Sequence, residues 1–269
     1  MSKVETVLYS EEDTVATITL NRPEQLNAMT DPLMRGISEA LARVEADQNI
    51  RAVVLTGKGR GFCAGADLAQ VAKRPEEPTD GSAKEPDQGD DDFNTAMRAL
   101  MDCPVPTIAR INGPAAGGGF GLALACDVTI AAQSAFFVAT FNPNLGIVPD
   151  MGATWSIPLA VGRARALGIT LLGERISAEQ ALEWGLIWSV VADEKLDEEV
   201  DRIVAILKRS SPSTVTRIRQ TIDSAVHNSF SNQLDLETLH QDVLIPRNMR
   251  KGAQAFLEKR TPTFGGERG

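Results

Sequence analysis

Residues 109–127, ARINGPAAGGGFGLALACD, constrain this chain more than any other stretch. The strand-like run Thr107 to Ile111 enters an Asn-Gly-Pro turn. Gly117, Gly118 and Gly119 follow, then small apolar residues that read as a buried helix. A strand that passes through glycines into a helix start leaves backbone N–H groups exposed at the positive end of the helix dipole. Such groups can hold an oxygen that carries negative charge. Glycine at 118 lets the backbone approach a ligand closely, because no side chain intervenes.

The rest of the chain supplies similar pieces. Residues 14–20 alternate in polarity and predict a strand. Residues 31–46 carry Leu33, Ile37, Leu41 and Val44 at helical spacing, with Thr30 as N-cap. Ala52 to Thr56 predicts a buried strand ending at Gly57, and GRGFCAGADL follows as a second glycine-rich turn leading toward a helix. Residues 73–92 are polar, acidic and proline-bearing, and predict a mobile surface loop. Helical spacing resumes over 93–102. VTIAA (128–132) predicts a strand, and residues 141–155 an irregular segment. SAEQALEWG shows a Ser177/Gln180 capping box closed by Gly185. LIWSVV (186–191) is strand-like, and beyond residue 195 only helical patterns remain. Strands and helices alternate first and helices close the chain, which predicts an α/β body, residues 1–195, with an α-helical region, 196–269.

Composition narrows the function. No apolar run reaches the ~20 residues of a membrane span, and the N-terminal residues lack a signal-peptide core. The three cysteines, Cys63, Cys103 and Cys126, have no metal-ligand spacing and read as reduced thiols of a cytoplasmic protein. A net charge of −9 argues against nucleic acid as a partner, yet leaves room for an anionic small ligand held by a few local cations.

Six blocks, in order, resemble the crotonase superfamily, also called the enoyl-CoA hydratase/isomerase family. They are LNRPEQLNAM (20–29), GFCAGADL (61–68), INGPAAGGGFGLALACD (111–127), LGIVPDMGATW (145–155), ISAEQALEWGLIWSVV (176–191) and AFLEKR (255–260). The resemblance implies a spiral of repeated β-β-α turns followed by a C-terminal helical region that assembles a homotrimer or a dimer of trimers. It implies an acyl thioester of coenzyme A as substrate, with coenzyme A belonging to the substrate and no metal or redox cofactor. By position, the thioester oxygen is held by the backbone N–H groups of Ala66 and Gly118. Preorganised donors of this kind stabilise an enolate more than the neutral thioester, which is what accelerates removal of an α-proton. Ala64, Asp67 and Leu68 flank the first donor as candidate coenzyme A contacts; Asp67 can equally cap a helix start.

Hydratases of the family use two glutamates, whose positions here hold Gly121 and Asn142. Adding water needs a base for the water and a proton for carbon, so ordinary hydratase chemistry lacks its side chains. Asp150, in LGIVPDMG, stands where several double-bond isomerases of the family carry a carboxylate, the epoxyphenylacetyl-CoA isomerases among them. Dehalogenases acting on 4-chlorobenzoyl-CoA also place a nucleophilic aspartate here, but their tryptophan would fall at Asn142. The apolar neighbours Val148, Pro149 and Met151 are expected to raise the carboxyl pKa, as a base requires. A turn role for Asp150 after proline is the alternative.

The resulting expectation is an acyl-CoA double-bond isomerase acting on an unsaturated or ring-bearing acyl group. Ala66 and Gly118 form the oxyanion hole, and Asp150 is the proton shuttle. Alternatives are a hydratase or other lyase or hydrolase of the family, and a non-catalytic acyl-CoA binder or RNA-associated relative. Phe256 and Lys259 resemble a pair that contacts coenzyme A from a neighbouring subunit; an amphipathic last helix with an exposed lysine would look the same. His227 and His240 lie in the helical region and read as surface or interface residues, and Cys63 as a small buried apolar residue.

Overall fold

The computed structural model describes residues 5–73, 91–142 and 144–268. Most of the predicted acidic loop, residues 74–90, lies outside them.

The chain runs β1 (Val7–Glu12), β2 (Val15–Leu20), α1 (Asp31–Ala46), β3 (Ala52–Gly57), α2 (Leu68–Val71), α3 (Asp92–Met101), β4 (Thr107–Ile111), β5 (Ala115–Ala116) and α4 (Gly118–Leu124). It continues with β6 (Val128–Ala132), β7 (Phe136–Val138), α5 (Ala153–Leu172), β8 (Ile176–Ser177), α6 (Ala178–Glu183) and β9 (Ser189–Val191). Then come α7 (Leu196–Leu207), α8 (Pro212–Ser224), α9 (Phe230–Leu244) and α10 (Arg250–Leu257).

Six strands form one sheet in the order β1-β2-β3-β4-β6-β9. Only its edge hairpin β1–β2 is antiparallel; every other pairing in it is parallel. Parallel strands are covered on both faces and so carry continuous apolar runs. β3 shows this, with all six residues buried, whereas β2 next to the edge alternates and buries Ala16, Ile18 and Leu20. A smaller sheet, β5-β7-β8, stands apart, with β5 and β7 parallel. Two isolated parallel bridges, Met29 to Ala66 and Cys63 to Ala115, extend this second stack backward along the chain. Each circuit therefore runs from a long strand to a short one and then to a helix: β3, residues 63–66 and α2; β4, β5 and α4; β6, β7 and α5. This is the β-β-α spiral.

Local chemistry explains the helices around it. The Thr30 hydroxyl caps α1 by accepting from the Leu33 amide, and Leu33, Met34, Ile37, Ala40, Leu41 and Val44 form its buried stripe. Asp91 caps α3, so the helix begins at Asp92, inside the segment predicted as loop. Ser177 caps α6, and Gly185 follows it with φ +81°. α7 packs Leu196, Val200, Ile203 and Val204 into the main core, against β4 and β6. α8 is tied to the body through Arg219, whose guanidinium meets both Asp127 oxygens and the Cys103 and Val105 carbonyls.

β1, β7, α5 and the two-residue strands β5 and β8 escaped the sequence pattern. β7 is only three residues long. α5 contains Pro158 and is broken at Gly162 (φ +74°), so it never shows twenty residues of one helical period. Among the described residues no helix is long and apolar enough to cross a membrane.

Candidate active site

The two glycine-rich turns meet. Gly65 has φ +85°, and a Cβ built there would lie 2.8 Å from the Ala116 carbonyl oxygen and 3.4 Å from the Gly118 nitrogen. A Cβ on Gly117 would lie 3.8 Å from the Gly65 Cα. The two segments are thus in backbone contact, and only glycine permits it at 65.

The direction of the Ala66 N–H follows from its peptide unit. The Gly65 carbonyl accepts from the Met29 amide at 2.7 Å, and the Asp67 amide donates to the Met29 carbonyl at 3.0 Å. The Gly65 carbonyl and the Ala66 N–H belong to one trans peptide and point opposite ways, so the Ala66 N–H is turned away from Met29. Gly118 is the first residue of α4, where an N–H has no acceptor within the helix. Among the described residues neither N–H meets an acceptor. Two unsatisfied donors, one on a helix dipole, can stabilise an oxyanion.

Asp150 lies beside this pair. A Cβ on Gly118 would be 3.6 Å from Asp150 Oδ1 and would overlap Met29 Cε and Met151 Cγ, at 2.3 and 2.9 Å. Met151 (φ +51°) and Gly152 (φ +72°) form a left-handed pair that turns the chain here, and Met151 is buried. A left-handed non-glycine residue stores strain, and such strain collects at functional sites. The expected apolar surround of Asp150 is only partly present. Met151 supplies it, whereas Val148 is 76% exposed and points outward.

Asp150, Ala66 and Asp67 line one cavity of about 310 Å³, with Met29, Phe93 and Met151 as apolar wall and Asp91 also on its lining. Asp150 is exposed to solvent and borders this cavity. Partial loss of solvent still pushes its carboxyl above the ordinary carboxylate range, a backbone hydrogen bond opposes the rise, and the negative charge of Asp91 adds to it.

Asp67 plays a defined structural role. It caps α2 through the Gln70 amide and pairs with Arg22 at 2.8 Å. The Arg22 guanidinium holds its carboxyl below the usual range. The Ala64 amide is bound to the Leu26 carbonyl at 2.9 Å, and Leu68 is 51% exposed. Phe256 and Lys259 do not line the cavity. Phe256 is 82% exposed and borders an apolar groove of about 720 Å³ among the C-terminal helices. The hydratase positions are otherwise used: Gly121 packs on the Met151 backbone, and Asn142 donates to the Leu171 carbonyl at 3.1 Å.

Sequence reasoning missed Gly65, Met29, Asp91 and Arg22 as parts of this site. Left-handed backbone and contacts between distant turns leave no periodic signal. His240 is buried with Nδ1 2.8 Å from the Thr221 hydroxyl, and His227 is exposed.

The Enoyl-CoA hydratase/isomerase family model matches residues 10–267. The chain belongs to the enoyl-CoA hydratase/isomerase family. It is 44% identical over 268 residues to 1,2-epoxyphenylacetyl-CoA isomerase of Escherichia coli K12, covering 98% of this chain and 100% of that one. Two crystal structures of enoyl-CoA hydratases, from Bacillus anthracis and Polaromonas sp. JS666, each superpose with a TM-score of 0.87 at 34% identity. The first covers 97% of this chain and all of that chain; the second covers 96% and 99%. This family member therefore has the crotonase fold, and its similarity extends to isomerases and hydratases alike.

Proposed function

We propose that this family member is an acyl-CoA double-bond isomerase whose substrate carries an unsaturated or ring-bearing acyl group. The observation that carries the reading is the position of Asp150 Oδ1 against Gly118, beside two unsatisfied backbone donors, while the hydratase glutamate positions hold glycine and asparagine.

In the proposed reaction the thioester oxygen accepts hydrogen bonds from Ala66 and Gly118. The Asp150 carboxylate removes a proton from C2 or C4 and becomes the carboxylic acid. The electron pair delocalises toward the thioester oxygen as a dienolate, where the two N–H groups stabilise it. Asp150 then returns the same proton at the other end of the allylic system, and the double bond has moved. No metal or redox cofactor takes part, and coenzyme A is carried by the substrate. The exposed Phe256 and Lys259, together with exposed Phe230 and Leu257, support a homotrimer or dimer of trimers in which a neighbouring copy completes the coenzyme A site.

The test is a screen of 3-enoyl-, 2-enoyl- and phenylacetyl-derived CoA esters. Migration of the double bond is expected, with Asp150→Asn slowing it about 10²–10⁴-fold while CoA esters still bind. The hydratases among the structural neighbours favour a second reading, water addition with another group as base. Conversion of crotonyl-CoA to a 3-hydroxyacyl product, unaffected by Asp150→Asn, would replace the first reading with it.

A further inference from the structure

The LNRPEQLNAM segment supplies no reacting group, yet Arg22 and Asn27 tie it to three other parts of the chain, at Lys58, Gly61 and Asp67. Leu26 and Asn27 are both left-handed, with φ +48° and +57°, and Asn27 is fully buried. The Asn27 amide group donates to the Lys58 and Gly61 carbonyls at 3.0 and 2.9 Å, and its oxygen accepts from the Arg22 amide at 2.8 Å. Two strained residues held by a satisfied buried side chain make a rigid strut.

The Arg22 side chain extends that strut to the oxyanion hole. Its side chain is 17% exposed. One arm donates to the Ala28 carbonyl and the other to Asp67 Oδ2 at 2.8 Å. Ala28 precedes Met29, whose amide holds the Gly65 carbonyl, and Asp67 follows Ala66. The two acceptors of Arg22 thus bracket the peptide that presents the Ala66 N–H. The other oxygen of Asp67 accepts from the Gln70 amide, so its side chain ties Arg22 to the backbone that follows Ala66.

We propose that Arg22 is a positioning residue for the reaction: bridging Ala28 and Asp67, it sets the direction of the Ala66 N–H toward the thioester oxygen. The inference rests on the reading of Ala66 as an oxyanion donor. Its physical basis is that a donor stabilises developing charge only when its geometry is already in place, so a small rotation of one peptide costs rate without costing affinity. A planar guanidinium can serve two divergent acceptors at once; a lysine ammonium, a point charge on a flexible stem, does so poorly.

Cinnamoyl-CoA is a suitable probe, because hydrogen bonds to its thioester oxygen polarise the conjugated system and move its absorption to longer wavelength. Wild-type protein is expected to produce that red shift. Arg22→Met is expected to lose most of it while the dissociation constant for cinnamoyl-CoA stays close to wild type. In turnover, kcat is expected to fall about 10- to 100-fold, less than removing a donor outright, with KM little changed. Arg22→Lys should lie between, and Asp67→Asn should shift in the same direction. If Arg22→Met does not fold, Arg22→Lys and Asp67→Asn carry the test. A full red shift and unchanged kcat in these variants, whatever their melting temperatures, would reduce Arg22 to a fold-stabilising residue and overturn the proposal. Absence of a shift in the wild type would mean instead that the paired-amide reading itself has failed.

Discussion

The α-carbon of Gly121 rests directly on the backbone of Met151: a Cβ placed there would lie 2.3 Å from the Met151 carbonyl oxygen and 3.0 Å from its carbonyl carbon. This contact joins α4 to the left-handed turn that carries Asp150. It also means that the position of a hydratase glutamate is filled by main chain.

Restoring a glutamate by Gly121→Glu is accordingly expected to yield no hydratase. Even Gly121→Ala forces the Met151 backbone to move, and overpacking of this kind costs about 1–3 kcal/mol. Chemical denaturation would measure that loss. The shift at Asp150 should also depress isomerisation in Gly121→Ala at temperatures where the variant is folded. A Gly121→Glu protein of wild-type stability that hydrates crotonyl-CoA would contradict the packing argument.

The raised pKa of Asp150 sets the sign of the pH profile. A base acts as its carboxylate, so kcat/KM should rise with pH through an acid limb placed above the ordinary carboxyl range. Desolvation comes first among the causes and the Asp91 charge contributes. Asp91→Asn removes that charge and should move the limb to lower pH, because the Asp150 carboxylate becomes easier to form. Asn can still cap α3. For stability the sign is opposite: a carboxyl whose pKa is raised on folding stabilises the folded chain below its unfolded pKa. That contribution is lost as pH rises through the folded value. Rate profiles of both proteins across the acid limb, each within its stable range, decide the matter.

Cys63 adjoins the oxyanion segment but is not poised to react. It is fully buried, burial pushes its thiol up to about 12, and its sulfur faces the Asn27 carbonyl. Burial likewise pushes Cys103 up to about 11 and Cys126 higher still. All three thiols should resist iodoacetamide at mildly alkaline pH until denaturant is added, because the thiolate is the reacting form. Cys63→Ala should keep its turnover. Rapid labelling of Cys63 in the native protein, with loss of activity, would contradict this and point to a reactive thiol.

Much of the framework is legible in the chain. Thr30 and Ser177 read as caps because a hydroxyl before a periodic apolar run has one obvious use, the orphan N–H groups of a helix start. β3, β4 and β6 are visible because strands buried in a parallel sheet are dominated by small and β-branched residues, here Val53, Val54, Ile108, Ile111, Val128 and Ile130. α5 is hidden by Pro158 and Gly162, which divide its period, and β7 by its brevity.

At the candidate site, chain chemistry supplies the residue types. Glycines open the backbone at 118, and a carboxylate stands at 150 while the hydratase positions hold none. These are properties of single positions, and the order of residues states them outright. That Asp150 Oδ1 lies against Gly118, that Asp91 borders the same cavity, that Met151 blocks position 121 and that Arg22 reaches Asp67 across 45 residues are relations between separate turns of the spiral. Such relations arise only when parallel crossovers stack distant segments, because side-chain periodicity records which face of an element is buried and nothing about the partner it meets.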